Sequence, residues 1–165
     1  MPPSRLFALL ATALVLVALP VHADQPPPWF AGLLEAHNAA RRAVGVPPLR
    51  WSAAVAAVAQ GWANRLQAAG CPMRHSGTED YGENLAWSSG QRLTPAQVVD
   101  LWVGEQPAYN PATGACLRGA MCGHYSQIVW RSTRFVGCGI GQCGAAEVWV
   151  CNYDPPGNYV GERAY

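Results

Sequence analysis

Apolar residues recur at helical spacing through the first half of the chain and gather into short runs through the second. From Trp29 to about Val44, Phe30, Leu33, Leu34, Ala36 and Ala40 trace one face of an amphipathic helix, which Pro47-Pro48 stops. Ser52 then offers the side-chain oxygen of an N-cap. Val55, Val58, Ala59, Trp62 and Leu66 form the stripe of a second helix, closed by Gly70 and Pro72. Thr94-Pro95 reads as N-cap and first helical residue of a third, with Val98, Leu101, Trp102 and Glu105 on one face. Beyond it the composition turns to strand formers, over Ser126 to Arg131, Phe135 to Gly141 and Glu147 to Tyr153. The turn Cys143-Gly144-Ala145 makes the last two antiparallel. Helices first and strands later predict an α+β fold.

The N-terminus has a pattern of its own. Arg5 is the only charge ahead of a nearly unbroken apolar run, Leu6 to Leu19, and Val21-His22-Ala23 has the small-x-small form of a cleavage site. The run is shorter than the roughly 20 residues needed to span a bilayer. Residues 1–23 therefore read as a signal peptide, 24–28 as a proline-rich lead-in and 29–165 as one domain. The expected protein is secreted, with no transmembrane anchor.

Charge changes the picture by exclusion. The 11 basic residues are all Arg and meet 10 acidic ones, so no basic patch invites nucleic acid. An even count of six cysteines in such a chain argues for three disulfides, and none has the C-x₂-C spacing of a zinc knuckle. Cys138 and Cys151 flank the Gly-rich turn almost symmetrically, so a hairpin sets them opposite each other.

Two polar residues stand out against the apolar pattern. Glu105 falls on the stripe of the third helix, where a carboxylate has to be paired or hydrogen-bonded. His124 heads the run that carries Ile128 and Trp130 on the same face by period-two alternation. No nucleophile is signalled: G-x-S-x-G is absent, disulfides claim the cysteines, and Ser76 merely adjoins His75.

The segments Cys122-Gly123-His124-Tyr125-Ser126-Gln127-Ile128-Val129-Trp130 and Cys151-Asn152-Tyr153-Asp154-Pro155-Pro156-Gly157-Asn158-Tyr159 resemble the paired signatures of the CAP superfamily, and most of all its pathogenesis-related 1 branch. The resemblance runs from about Trp29 to Tyr165. It implies a three-layer α-β-α sandwich around a small antiparallel sheet, and the further pairs Cys71–Cys143 and Cys116–Cys122 beside Cys138–Cys151. It also implies that His75 and Glu83 join Glu105 and His124 in a cavity tetrad, whereas His37 is a packing or capping residue near Arg41.

Three uses of the tetrad are open. It can be a structural hydrogen-bond network, a zinc or copper site on His75 and His124 with Glu83 and Glu105 nearby, or a hydrolytic centre. The family likeness implies a non-enzymatic protein with no required cofactor, acting in extracellular defence or host interaction by binding a sterol or other lipid. Tyr109, the only aromatic of the loop Gln106–Gly114, is the implied lipid contact. The alternatives are a metal-dependent hydrolase and a precursor of a signalling peptide, because residues 155–165 resemble the C-terminal peptide that plant members release. Ala164 departs from that pattern, which has Pro.

Overall fold

A computed structural model describes residues 25–165; the expected signal peptide lies outside them. A 3₁₀ turn, Pro28–Phe30, leads into α1 (Leu33–Ala43), β1 (Arg50–Trp51), α2 (Ala53–Ala68), β2 (Gly82–Ser89) and α3 (Pro95–Val103). A second 3₁₀ turn, Gln106–Ala108, precedes α4 (Gly123–Ile128), β3 (Phe135–Cys143) and β4 (Ala146–Asp154). The strand order is β1-β3-β4-β2, antiparallel except for the short β1–β3 pair.

The alternation of side chains along β4 builds the layers. Val148 and Val150 meet Ala59, Ala63 and Leu66 of α2, while Trp149, Cys151 and Tyr153 face the cluster of Leu33, Trp102, Tyr125 and Ile128. A strand covered on both sides is buried on both faces, and β4 is buried without a break from Glu147 to Tyr153. The result is α2, then the sheet, then α1, α3 and α4: the α+β class read from the order of the elements and the sandwich that the resemblance implied, with one parallel pair in a sheet expected to be antiparallel.

Two devices fit α2 to the sheet. Gly137, Gly139 and Gly141 alternate along β3 beneath it, and a methyl group on any of them would collide with the backbone of Ala56, Gln60 or Ala63. Beyond β1 the outer edge of β3 has no strand partner among the described residues, and α2 supplies side chains instead. The Gln60 amide donates to Ile140 O (2.9 Å) and accepts from Ile140 N (3.0 Å), while Gln67 Oε1 accepts from Gln142 N (2.9 Å). Cys71–Cys143, Cys116–Cys122 and Cys138–Cys151 are all bonded, the last directly across the β3–β4 hairpin.

Several expectations need correction. Ser126 to Arg131 is not a strand: α4 takes Ser126 to Ile128 and a turn takes the rest, so His124 sits in the first turn of a helix and shares no strand face with Ile128 and Trp130. Leu101 is 55% exposed, and α3 buries Val98, Val99 and Trp102 instead. Glu105 lies past the end of that helix, at the start of the second 3₁₀ turn. Val58 is exposed on α2, and α1 begins at Leu33, leaving Trp29 and Phe30 in the preceding turn. Strand β2, unforeseen, pairs with β4 over its full length.

Candidate functional cleft

The site is built around the two ends of α4. Cys122 offers that helix no side-chain cap, and Glu105 reaches in from the preceding loop to do so. Its Oε2 accepts from His124 N (2.9 Å) and Tyr125 N (3.3 Å), and its Oε1 accepts from His124 Nδ1 (2.6 Å). A carboxylate at a helix N-terminus also meets the favourable end of the backbone dipoles. Behind the imidazole, the Trp102 ring stacks at 6.3 Å and 16°.

Arg41 holds the other end. It donates to Ile128 O (2.7 Å), Trp130 O (2.9 Å), Pro47 O (2.6 Å) and Thr133 O (3.0 Å). Its side chain is fully buried, and desolvation draws its pKa down to about 10. One guanidinium thus ties α1 to the exit of α4 through carbonyl oxygens alone.

A hydrogen-bonded path runs from the core to this helix. His37 donates from Nδ1 to Leu33 O (2.8 Å), which leaves Nε2 to accept the Tyr153 hydroxyl (2.8 Å). Asn84 Nδ2 donates to Tyr153 Oη (3.1 Å) and to His124 O (3.0 Å). Burial lowers the His37 pKa to about 4 and pushes that of the Tyr153 phenol far up, so both stay neutral in the core. His37 is the packing residue that the sequence led us to expect.

The second His–Glu pair stands on β2. Glu83 is only 6% exposed; its Oε1 accepts from His75 Nδ1 (2.7 Å) and from Ser76 N (2.9 Å), whereas the His75 ring is 61% exposed. Glu83 Oε2 is buried without a partner, as is Oδ1 of Asn152, its register partner on β4.

His75, Glu83, Asn84 and His124 line one cleft of about 490 Å³, walled by Met121, Asn158 and the Cys116–Cys122 bridge. Three of the four tetrad residues therefore border the same space, and Glu105 stands one step behind His124. No nucleophile is poised there: the Ser126 hydroxyl bonds Asn158 Oδ1 (2.6 Å), and every cysteine among the described residues is in a disulfide.

The donor set does not fit zinc as placed. Each imidazole has its Nδ1 on a carboxylate, which leaves two Nε2 atoms, and of the two carboxylates only Glu83 keeps an unpartnered oxygen, which is buried, whereas zinc sites take three or four protein ligands. Among the described residues, no three His, Cys, Asp or Glu side chains stand close enough to hold an ion.

Tyr109 is under cover. Its ring is 7% exposed, its hydroxyl accepts from Ala164 N (2.8 Å), and the Tyr125 and Tyr165 rings flank it. The C-terminal segment that covers it is pinned further by Thr133 Oγ1 to Pro155 O (2.9 Å), Gly157 N to Gln127 Oε1 (3.0 Å) and Asn158 Nδ2 to Gly123 O (2.8 Å).

Sequence reasoning missed Asn84, Tyr153, Asn158 and Arg41. For Arg41 a signal existed: Leu33, His37 and Arg41 follow at four-residue intervals, which sets all three on one helix face. Asn84 was hidden because β2 itself was.

Comparison with known proteins agrees with this architecture. The profile of the CAP family, described as the cysteine-rich secretory protein family, matches residues 34–153. A pathogenesis-related protein of PR-1 type from Sambucus nigra is 46% identical over 154 residues, covering 93% of this chain and 89% of its own. Pathogenesis-related protein 1C from Nicotiana tabacum is 50% identical over 133 residues, 80% of this chain and 78% of its own. The crystal structure described as NaASP2 with Zn²⁺ superposes with a TM-score of 0.70 at 25% identity, over 90% of each chain. The chain belongs to the CAP family, and plant pathogenesis-related 1 proteins are among its relatives.

Proposed function

We propose that the protein is a non-enzymatic extracellular defence or host-interaction protein that acts by binding a sterol or another lipid in the cleft. The observation that carries this reading is the cleft's divided lining. Ala120, Met121 and the Cys116–Cys122 bridge offer apolar surface, and Asn84, His75 and His124 offer polar groups for a hydroxyl head. At about 490 Å³ it falls in the size range of small-molecule sites. The pathogenesis-related names of its relatives support the defence role, and three disulfides suit an oxidising compartment. Hydrolysis finds less support, because the cleft has neither an activated nucleophile nor a complete metal set.

Equilibrium binding of a labelled sterol to the oxidised protein tests the reading. Saturable binding at micromolar affinity is expected, weakened at least tenfold by Met121→Asp, which sets a charge in the apolar wall at an exposed position. Absence of sterol binding by a folded sample would refute it.

A second reading rests on residues 155–165, which leave the sheet after β4 and run over α4 without joining a regular element. As a releasable signalling peptide they would appear free in the culture medium. Mass spectrometry that finds only intact C-termini sinks that idea.

A further inference from the structure

Residues 155–165 are held the way a bound peptide is held. Strand β4 stops at Asp154, and nothing beyond it joins a helix or a strand. Two short anchors grip the body instead. In the first, Pro155 O accepts from Thr133 Oγ1, Gly157 N donates to Gln127 Oε1, and the Asn158 side chain bonds Ser126 Oγ and Gly123 O. In the second, Ala164 spends both backbone groups on the body. Its N–H donates to Tyr109 Oη (2.8 Å), and its carbonyl accepts from Arg131 N (2.7 Å). Between the anchors the segment stands off, with Val160 fully exposed.

The two surfaces are cut to each other. Gly114 of the body lies where the segment's backbone passes, and a methyl group there would strike Glu162 O. Gly157 of the segment lies where the Trp130 ring passes, and a methyl group there would strike the indole. At the far end Ala164 is 1% exposed, so the place that takes it admits only a small side chain. The Tyr165 ring packs on Tyr109 at 5.6 Å, with its hydroxyl 3.4 Å from that of Tyr125. The bond from Ala164 N selects as well. Pro stands here in the pattern that this tail otherwise resembles, and it has no N–H to give the Tyr109 hydroxyl.

We infer that the body carries a peptide site, filled in cis by its own C-terminus, which recognises a chain end made of a small residue with a free N–H followed by Tyr. The inference goes beyond the reading of these residues as a releasable signal, because the site is there whether or not a protease frees them. Where one does, the cut peptide stays on the body, which becomes its carrier. A short tether sets the local concentration of the segment near the millimolar range. Docking for most of the time then needs a Kd of about 0.1 mM or tighter.

Amide exchange on the intact, oxidised protein is the first test. The Gly157 and Ala164 amides belong to different anchors, and both should exchange at least tenfold faster than those of β4, by undocking that leaves the sheet folded. Equal rates would overturn the inference, since the segment would then open only with the whole fold. A specific protease site inserted after Asp154 next allows the folded chain to be cut. Labelled synthetic peptide 155–165 should exchange into the cut protein saturably, with a Kd of about 0.1 mM or tighter. The Ala164→Pro peptide should bind at least fivefold more weakly. The inference is overturned by absence of saturable exchange, by an Ala164→Pro peptide that binds as well as its parent, or by a cut protein that loses its cooperative melt. Finding only intact C-termini in the medium would sink the releasable signal and leave this site standing.

Discussion

Removing the Glu105 carboxylate tests how α4 is held. Glu105→Ala strips the acceptor from two backbone N–H groups at the helix start and from the His124 imidazole. Loss of a charge-assisted hydrogen bond costs about 1.5–3 kcal/mol and loss of a helix cap about 1 kcal/mol. Part of this is recovered where water reaches the freed groups, because the pair is not wholly buried. The net expectation is about 2–4 kcal/mol, or a fall in Tm of roughly 8 °C at about 2–4 °C per kcal/mol for a domain of this size. Urea unfolding at pH 7 with the disulfides intact measures it. Glu105→Gln, which retains an acceptor oxygen and gives up the charge, should lose about half as much. Amide exchange at His124 and Tyr125 should quicken in both variants before global unfolding sets in. A Glu105→Ala loss below about 0.5 kcal/mol, with exchange unchanged, would show that another group caps this helix.

Acid stability should follow His37. Burial holds its pKa near 4 against 6.5 in the open chain, so between those values the unfolded state binds the proton that the native state refuses. Its contribution is complete above pH 6.5 and is lost as the pH falls towards 4. The loss amounts to about 3 kcal/mol at about 1.4 kcal/mol per unit. A His37 ring proton that titrates near 6.5 by NMR would contradict this. Gly139→Ala sets a methyl group against the backbone of Gln60, and overpacking of this kind costs about 1–3 kcal/mol. A thermal melt equal to that of the wild type would mean that α2 can lift off the sheet freely.

What the sequence made legible is local. Ser52 caps α2 through Val55 N at 3.3 Å, and Thr94 begins α3 with a reciprocal capping box to Gln97. The cysteines at the two arms of the hairpin announced its register. Ser126 to Arg131 misled because a short run with Ile, Val and Trp carries no period that separates strand from helix. What decides for the helix is remote. Glu105 holds one end and Arg41 the other, from positions 19 and 87 residues away in the chain. The tetrad was legible only in part for a related reason. Glu105 and His124 break an apolar pattern, whereas Glu83 lies on a strand whose Gly82-Glu83-Asn84 opening reads as a turn.

The glutamines of α2 bear on how copies of this protein behave together. An uncovered strand margin is a template on which a neighbouring chain can continue the sheet, the first step of ordered aggregation. By offering both a donor and an acceptor to Ile140, Gln60 mimics one residue of the missing strand, and Gln67 adds an acceptor for Gln142 N. Two side chains thus close a border that elsewhere takes a whole strand. In a crowded solution, they keep the sheet from growing beyond its own molecule.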